Sequence, residues 1–368
     1  MSVLKQKLNR KNESGEYDEI HLKTDATVIT LSPTDETLLS DEITSLKSSV
    51  SNGKSLIASA ITDKGVSTAS DATFQTMADN ISSLDVNDPT TIRFAYTGNY
   101  NERVGGVIEF LSSGILTIYN SAVVDLFLVG GGGSGGAGTW GGYSASGATR
   151  STDGSFGGAG GYTNTIKGIT ISPGEYTVTI GSGGSGISGT TSTQKAGNDG
   201  GNTEILGYTA KGGMAGSNVT TMVGSTQYRV SNANGGSGGG SRAVNENTGY
   251  GGSDGSDGYG SYNSDGYKGG KGQGTTTREF GESTGKLYSG GGGGARYMYY
   301  NSKQQINQFG PNTTLGGDGG GGNGGLSSNT TTGTANTGGG GGSGVDEGSY
   351  KGAAGGSGIV CMRIHIDS

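Results

Sequence analysis

The hydrophobic positions between residues 39 and 60 recur at alternating intervals of four and three residues. They are Leu39, Ile43, Leu46, Val50, Gly53, Ile57 and Ala60. This spacing predicts an amphipathic helix with a short heptad seam, and Ser32-Pro33-Thr34-Asp35 before it is typical of a helix start. Phe74, Met77, Ala78, Ile81 and Leu84 predict a second amphipathic helix over residues 70–84. The pair indicates either an oligomerising stalk, for which the seam alone favours two strands over three, or a helical hairpin within one chain.

Residues 1–31 carry only sparse strand-forming positions between charged side chains. These are Tyr17, Ile20, Leu22, Val28, Ile29 and Leu31. So few apolar residues cannot build a core of their own. We therefore expect an extended segment that orders against a partner or a sister chain.

A boundary at Asp88-Pro89 precedes segments that are β-branched or that alternate between apolar and polar residues. The predicted strands are Thr91–Thr97, Gly106–Leu111, Gly114–Tyr119, Val123–Val129, Tyr162–Ile171, Glu175–Ile180, Asn202–Ala210 and Ser357–Ile366. Pro173-Gly174 predicts a turn between two of them. This part of the chain is therefore predicted to be mainly β, with its strands packed as a sandwich.

The apolar run Val124–Val129 leads directly into glycine. Of the 81 glycines in 368 residues, seven precede Gly130 and the other 74 lie between Gly130 and Gly358. Because predicted strands stand on both sides of this region, we interpret it as an insertion within a β domain and not as a tail.

Four structures compete for the glycine-rich region. A flexible linker does not explain the Tyr, Asp, Asn and Thr residues at intervals. Collagen requires glycine at every third position and abundant proline, but the chain has four prolines. A calcium-binding β-roll is suggested by residues 251–258 for one turn only, since its recurring aliphatic position is missing.

The fourth structure is a packed array of polyproline-II-type helices made of glycine, here called polyglycine II. Such helices have no internal hydrogen bonds, so every N–H and C=O must find a partner on a neighbouring helix. The glycines form many separate runs joined by glycine-poor segments, which is the alternation that a folded-back array needs. The pattern favours this fourth structure.

Charge and the remaining side chains exclude several functions. The net charge is −7, nearly all of it in residues 1–90, and no basic stripe indicates nucleic-acid binding. No apolar run predicts a signal peptide or membrane insertion. Cys361 is predicted to be buried, and His365 to be a solvent-facing or satisfied strand position, far in sequence from His21. We therefore predict no catalytic residue, no metal site, no cofactor and no enzyme activity.

Four motifs stand in a fixed order along the chain: Leu126–Gly133, Pro173–Gly181, Gly201–Gly213 and Gly355–Val360. Together they resemble the glycine-rich β domain of phage tail proteins, over roughly residues 107–366. The predicted array is similar to that of the adhesins at the tips of T-even phage long tail fibres. That resemblance implies loops between glycine helices that carry receptor specificity.

Two N-terminal motifs carry a second resemblance. Tyr17–Thr24 resembles the motif that begins many tail-fibre proteins in phages and prophages of Gram-positive bacteria, and Gly53–Val66 resembles a repeat of the same class. The resemblance implies a homotrimer docked through residues 1–31 on a baseplate or fibre-attachment protein. It also implies a virion or a phage-tail-like particle as location, reached after synthesis in the host cytoplasm and release by lysis.

If glycine forms the scaffold, the glycine-poor segments are exposed at its ends. The strongest receptor-binding candidates are Arg296, Tyr297, Met298, Tyr299 and Tyr300, because aromatic faces and donor groups suit stacking on sugar rings or docking on a protein. Tyr228, Arg229 and Tyr288 are further candidates. The alternative is that these aromatic residues fasten the ends of the array.

The sequence therefore predicts three parts: an attachment segment (1–31), a helical oligomerisation stalk (32–88) and a glycine-rich adhesin head (90–368). The expected function is that of a tail-fibre receptor-binding adhesin, from a phage or a phage-tail-like bacteriocin, that recognises a bacterial surface carbohydrate or protein. The alternatives are a tail spike that degrades surface polysaccharide and a purely structural fibre component.

Overall fold

The computed structural model describes residues 8–11, 17–20, 39–63, 66–82, 92–140, 149–153, 155–189, 195–223, 226–243, 248–260, 268–301, 306–346 and 349–365. The chain separates into two compact units, Met1–Val86 and Asn87–Ser368. Within the described residues the chain is mainly β.

The described residues of the first unit form one hairpin and two helices. Strand β1 (Leu8–Lys11) pairs antiparallel with β2 (Tyr17–Ile20). Helix α1 spans Leu39–Thr62, and the predicted helix start before it lies outside the described residues. Helix α2 spans Phe74–Ser82, which is shorter than predicted.

The two helices share a small hydrophobic cluster of Ala58, Ile61 and Met77. Met77 is buried in this cluster, whereas Phe74 and Ile81, predicted on the same apolar face of α2, are exposed within this chain. The prediction placed these residues on one face without stating what covers it.

The second unit contains the remaining described strands. In chain order they are β3 (Phe94–Tyr96), β4 (Tyr100–Arg103), β5 (Val107–Phe110), β6 (Gly114–Ile118), β7 (Ala122–Val129), β8 (Thr139–Trp140), β9 (Thr149–Asp153), β10 (Thr163–Ile171), β11 (Gly174–Val178), β12 (Ile187–Gly189), β13 (Thr203–Ile205), β14 (Tyr208–Ala210), β15 (Asn218–Val223), β16 (Thr226–Ser231), β17 (Met298–Asn301), β18 (Ile306–Phe309), β19 (Thr313–Thr314), β20 (Gly324–Gly325), β21 (Ser343–Asp346), β22 (Ser349–Gly352) and β23 (Ile359–Ile364). A strand forms in each of the eight segments predicted from sequence. The segment Asn202–Ala210 holds two strands, because Leu206 and Gly207 turn with positive φ values.

Two sheets hold the main hydrophobic core. One has the strand order β10-β7-β23-β5-β4 and the other β11-β6-β3. Side chains from both sheets, with contributions from β13 and β14, form one buried cluster. Phe110 and Leu116 are fully buried in it, one from each sheet.

Strand β7 is buried on both faces. Leu126 and Leu128 belong to the main cluster, whereas Phe127 and Val129 belong to a second cluster on the opposite face. Because successive strand residues point to opposite faces, the continuous apolar run in the sequence follows from burial on both sides.

The glycine-rich region begins and ends at adjacent positions of one sheet. Strands β7 and β23 pair antiparallel, and Ile359 stands opposite Val129. The region therefore leaves and re-enters the sheet side by side, as predicted for an insertion.

The glycine runs hydrogen-bond to one another through their backbones at intervals of three residues. In the run 130–137, Gly130, Gly133 and Gly136 donate in turn to the carbonyls of Tyr162, Ala159 and Phe156, at 2.9–3.0 Å. The other amides of this run donate in the same way to the runs 195–201 and 353–356.

The carbonyls of the run 130–137 accept from three further runs. Gly213, Gly184 and Gly341 donate to the carbonyls of Gly131, Gly132 and Gly133 respectively, at 2.8–2.9 Å. Within the described part of the chain, this run thus has six neighbours. We call the whole set of hydrogen-bonded runs between Gly130 and Gly358 the glycine array.

Side chains would not fit between the runs of the glycine array. A Cβ atom at Gly130 would overlap the carbonyl oxygen of Lys211, and one at Gly340 would overlap that of Gly158. Residues 130–138 are buried throughout. A flexible linker is therefore ruled out for these runs, since their backbone groups are paired and shielded from water.

Candidate functional site

The glycine array has two ends with different surroundings. At one end, which we call the sheet end, Gly130 follows β7, and Gly161 donates to Gly338. At the other, which we call the distal end, Gly136 donates to Phe156 and Ala137 to Lys195. Among the described residues the sheet end abuts the main core and the distal end does not, so the chain reversals of the distal end are a candidate functional surface.

The segment Arg296–Tyr300 begins at the distal end. Ala295, just before it, donates its amide to Ser155 at 3.1 Å, next to the Gly136–Phe156 contact. Strand β17 then enters a sheet of order β18-β17-β9-β8. In this register Tyr299 stands opposite Ser151 and Gln308, and Tyr300 opposite Arg150 and Asn307.

Arg296 is partly buried at the base of this four-stranded sheet. Its guanidinium Nη1 donates to Asn312 Oδ1 at 2.6 Å, and its amide donates to Gly325. Burial lowers the pKa of Arg296, and the carboxylate of Asp346 opposes part of that shift. The arginine thus fastens neighbouring runs together.

Tyr297 is held from both its backbone and its ring. Its amide donates to the carbonyl of Ala243 at 2.6 Å, and the guanidinium of Arg242 lies 4.2 Å from the ring centre. This distance is within the range of a cation–π interaction. The sequence predicted that this glycine-poor segment is exposed. The side chains of Arg296 and Tyr297 are instead partly buried. The side chains of Met298, Tyr299 and Tyr300 lie outside the described part of the structure.

Tyr228 and Arg229 belong to the hairpin of β15 and β16, where they stand opposite Thr221 and Thr220. This hairpin follows Gly216, which donates to Ser134 near the distal end. The structure therefore brings the two predicted segments, separated by more than sixty residues, to the same end of the glycine array. Their register positions are described, but the side chains of Tyr228 and Arg229 are not.

Tyr288, a further predicted receptor-binding residue, lies in the interior of the structure. Its side chain is fully buried at the sheet end, with its ring centre 5.3 Å from that of Phe127 and its hydroxyl 3.8 Å from Cys361 Sγ. Burial raises the pKa of Tyr288. The prediction that Tyr288 contacts a receptor is wrong, because its ring completes the second hydrophobic cluster.

A buried polar cluster lies beside Tyr288. Glu109, Glu279 and Cys361 place possible metal-binding atoms within 4.8 Å of one another. However, Arg103 pairs with both carboxylates, and its hydrogen bond to Glu279 raises its pKa. Burial raises the pKa of the Cys361 thiol, which disfavours the thiolate that a metal or a nucleophilic role requires. The buried position predicted for Cys361 is confirmed.

A second polar cluster surrounds Asp125 on the sheet. The Asp125 carboxylate, almost fully buried, accepts from the Gly168 amide at 2.9 Å and lies 2.6 Å from His365 Nδ1. Arg363 joins it at 3.1 Å and also pairs with Glu282. His365 is therefore a satisfied position next to a strand, as predicted.

Three contributors to the distal end, one strand and two side chains, were not predicted. Strand β9, with the sequence Thr-Arg-Ser-Thr-Asp, pairs with β17 but has no apolar alternation that would indicate a strand. Arg242 contacts the predicted cluster from a run far away in sequence, and Asn312 contacts it from sixteen residues further along the chain.

No described helix has the length and apolar character needed to cross a bilayer. A family model described as "Glycine-rich domain" matches residues 112–365, well over half of the chain. The chain belongs to this glycine-rich domain family. The matched region covers the glycine array and most strands of the two core sheets. A comparison with curated proteins gave no match.

Proposed function

We propose that the chain is a receptor-binding adhesin of a phage tail fibre or a phage-tail-like bacteriocin of Gram-positive bacteria, and that it recognises a cell-surface carbohydrate or protein through the distal end. The observation that carries the proposal is the convergence of β8–β9, β15–β16 and β17–β18 at the end of the glycine array opposite the core sheets. Rigid scaffolds that present reversals at one end are typical of binding proteins.

The scaffold in this proposal consists of polyglycine-II helices that extend from a β-sandwich. The three-residue interval of the backbone hydrogen bonds supports the helices, since this conformation has three residues per turn. The hydrophobic cluster that the two sheets share supports the sandwich.

The remaining parts of the proposal come from the two resemblances. Residues 1–31 attach the chain to a baseplate or fibre-attachment protein, residues 32–88 form the stalk, and the assembled particle carries three copies. Several copies bind more strongly than one, because the first contact raises the effective concentration of the others. No chemical step is assigned to the chain.

Binding of the purified, labelled chain to a panel of Gram-positive cells tests the proposal. The variant Tyr299→Ala/Tyr300→Ala should lose binding to any strain that the wild-type chain recognises. Tyr119→Ala is the matched control, since Tyr119 is an exposed aromatic residue at the end of β6 in the core sheets. Equal binding by both variants would count against the distal end as the contact surface.

The same cells distinguish the proposal from its alternatives. Incubation of the chain with purified wall polysaccharide should leave the polymer length unchanged, as measured by size-exclusion chromatography. Shortened chains would instead identify a polysaccharide-degrading tail spike. Absence of binding to every strain of a panel that includes the natural host would favour a structural fibre component.

A further inference from the structure

Helix α1 carries an uncovered apolar stripe. Ile43, Leu46, Val50 and Ile57 expose 37%, 56%, 51% and 40% of their surface. They lie at heptad spacing along one side of the helix, as the sequence predicts. A helix that remained alone in water would have no reason to align its large apolar side chains in this way.

Helix α2 does not cover this stripe. It buries Ala58 and Ile61, which lie beside the stripe near the end of α1. Gly53 continues the stripe, and a Cβ atom there would meet nothing within 4 Å. Ser70 and Asp71 border a groove along the stripe, and the apolar side chains of the heptad seam remain exposed in it.

The charges next to the seam are self-complementary. Glu42 precedes Ile43, and Lys47 follows Leu46, so the two flank the seam on opposite sides and five residues apart. In a parallel, in-register coiled coil these are the positions that meet between chains, Glu42 of one copy against Lys47 of the next. Lys54, the next basic residue on that flank, instead donates to the Asp71 carbonyl of its own chain at 2.9 Å.

We propose that the exposed stripe of α1 binds the same stripe of further copies of this chain, in parallel and in register, with Glu42–Lys47 pairs between neighbouring copies. The heptad spacing, the exposure of the seam and the charge complementarity each point to a second copy as the occupant. The inference rests on the stalk part of the proposed function and specifies its orientation and register, while its tests are independent of whether the distal end binds a receptor.

Sedimentation equilibrium of the full chain over a concentration series gives the first test. The wild-type chain should associate reversibly, and Leu46→Asp should raise the dissociation constant by about tenfold or more, because an apolar contact is replaced by a charge. The control Ser48→Asp places the same charge on the opposite, exposed side of α1. A wild-type chain that stays monomeric throughout would overturn the proposal.

A charge exchange tests the pairing between copies. Glu42→Lys should weaken association, because it places two lysines opposite each other, and the double variant Glu42→Lys/Lys47→Glu should restore it. Residues five apart on one helix do not face each other, so rescue requires contact between chains. Association that the double variant fails to recover would contradict the parallel register.

Oxidative crosslinking tests the orientation directly. The only native cysteine, Cys361, is buried, so Val50→Cys introduces a single accessible thiol on the seam. In a parallel, in-register assembly equivalent seam positions face each other, and mild oxidation should give a covalent dimer. Ser48→Cys should remain uncrosslinked. Crosslinking of Ser48→Cys, but not of Val50→Cys, would place another surface at the interface.

Discussion

The core sheets and the glycine array of the second unit are stabilised by different interactions, the sheets by buried side chains and the array by backbone hydrogen bonds. The sheets bury large side chains such as Phe110, Leu116 and Phe127. The array instead pairs amides and carbonyls of neighbouring runs, with almost no side chains between them. The stability of the sheets depends on the volume of their buried side chains. The stability of the glycine array depends on glycine positions that lack a Cβ atom.

This difference teaches that glycine content alone does not indicate flexibility. An isolated glycine run loses much conformational entropy on ordering and gains no apolar burial. In the array that loss is offset because one run serves as the hydrogen-bond partner of several others. Order is therefore a property of the whole set of runs, which predicts an unequal response to substitution.

The largest effect is expected for a side chain inside the glycine array. Gly340→Val would drive its Cβ atom into the carbonyl of Gly158, and the backbone has no free side to which it could move. We expect loss of folded, protease-resistant protein. Thr332→Val is the control, since Thr332 is exposed within the same region and should keep the wild-type melting temperature. Similar melting temperatures for both variants would contradict tight packing of the array.

An intermediate effect is expected for the sheets. Phe127→Ala removes a fully buried ring that contacts Tyr288 and Phe280, and we expect a loss of about 3–5 kcal/mol in the free energy of unfolding. Urea titration followed by tyrosine fluorescence measures it. Tyr119→Ala, at an exposed aromatic position, should change stability by less than about 0.5 kcal/mol. A loss in Phe127→Ala as small as that expected for Tyr119→Ala would mean that the second cluster contributes little.

The smallest of the three effects concerns the polar cluster on the sheet. Burial alone would raise the pKa of Asp125, but hydrogen bonds from Gly168, His365 and Arg363 outweigh it and hold the pKa below its usual value. The ionised carboxylate therefore contributes stability above its unfolded-state pKa, and that contribution is lost as the pH falls through the lower folded-state pKa.

Asp125→Asn should consequently cost about 1.5–3 kcal/mol at pH 7, the range for hydrogen bonds to charged groups. Its stability should also fall less steeply than that of the wild-type chain when the pH is lowered below about 4. Urea titrations at a series of pH values measure both effects. The exposed Asp318→Asn should follow the wild-type curve. Parallel curves for Asp125→Asn and the wild type would show that this carboxylate does not govern acid stability.

The core strands could be predicted because the signal for them lies within each segment of the sequence. Strands β7 and β23 are continuous apolar runs, and such runs are what burial on both faces requires. The array could be anticipated for a related reason, since glycine runs alternate with glycine-poor segments along the chain.

The position of Tyr288 could not be predicted from its neighbours in sequence. It stands between Leu287 and Ser289 at the start of a glycine run, which reads as an exposed reversal. Its burial depends on Phe127 and Cys361, each more than seventy residues away. The same holds for β9, which becomes a strand through its partner β17 and not through its own pattern.

The pairing of Val129 with Ile359 has a consequence for how such chains diversify. Because the chain leaves the sheet at Val129 and re-enters it opposite, at Ile359, the glycine array and the strands within it, including β10 and β11, form in topological terms one long connection between β7 and β23. We expect that runs at the distal end can be added or removed in pairs without altering the register of β7 against β23. The pairing of β7 with β23 would then stay constant, while the length of the glycine array and the loops at its distal end vary.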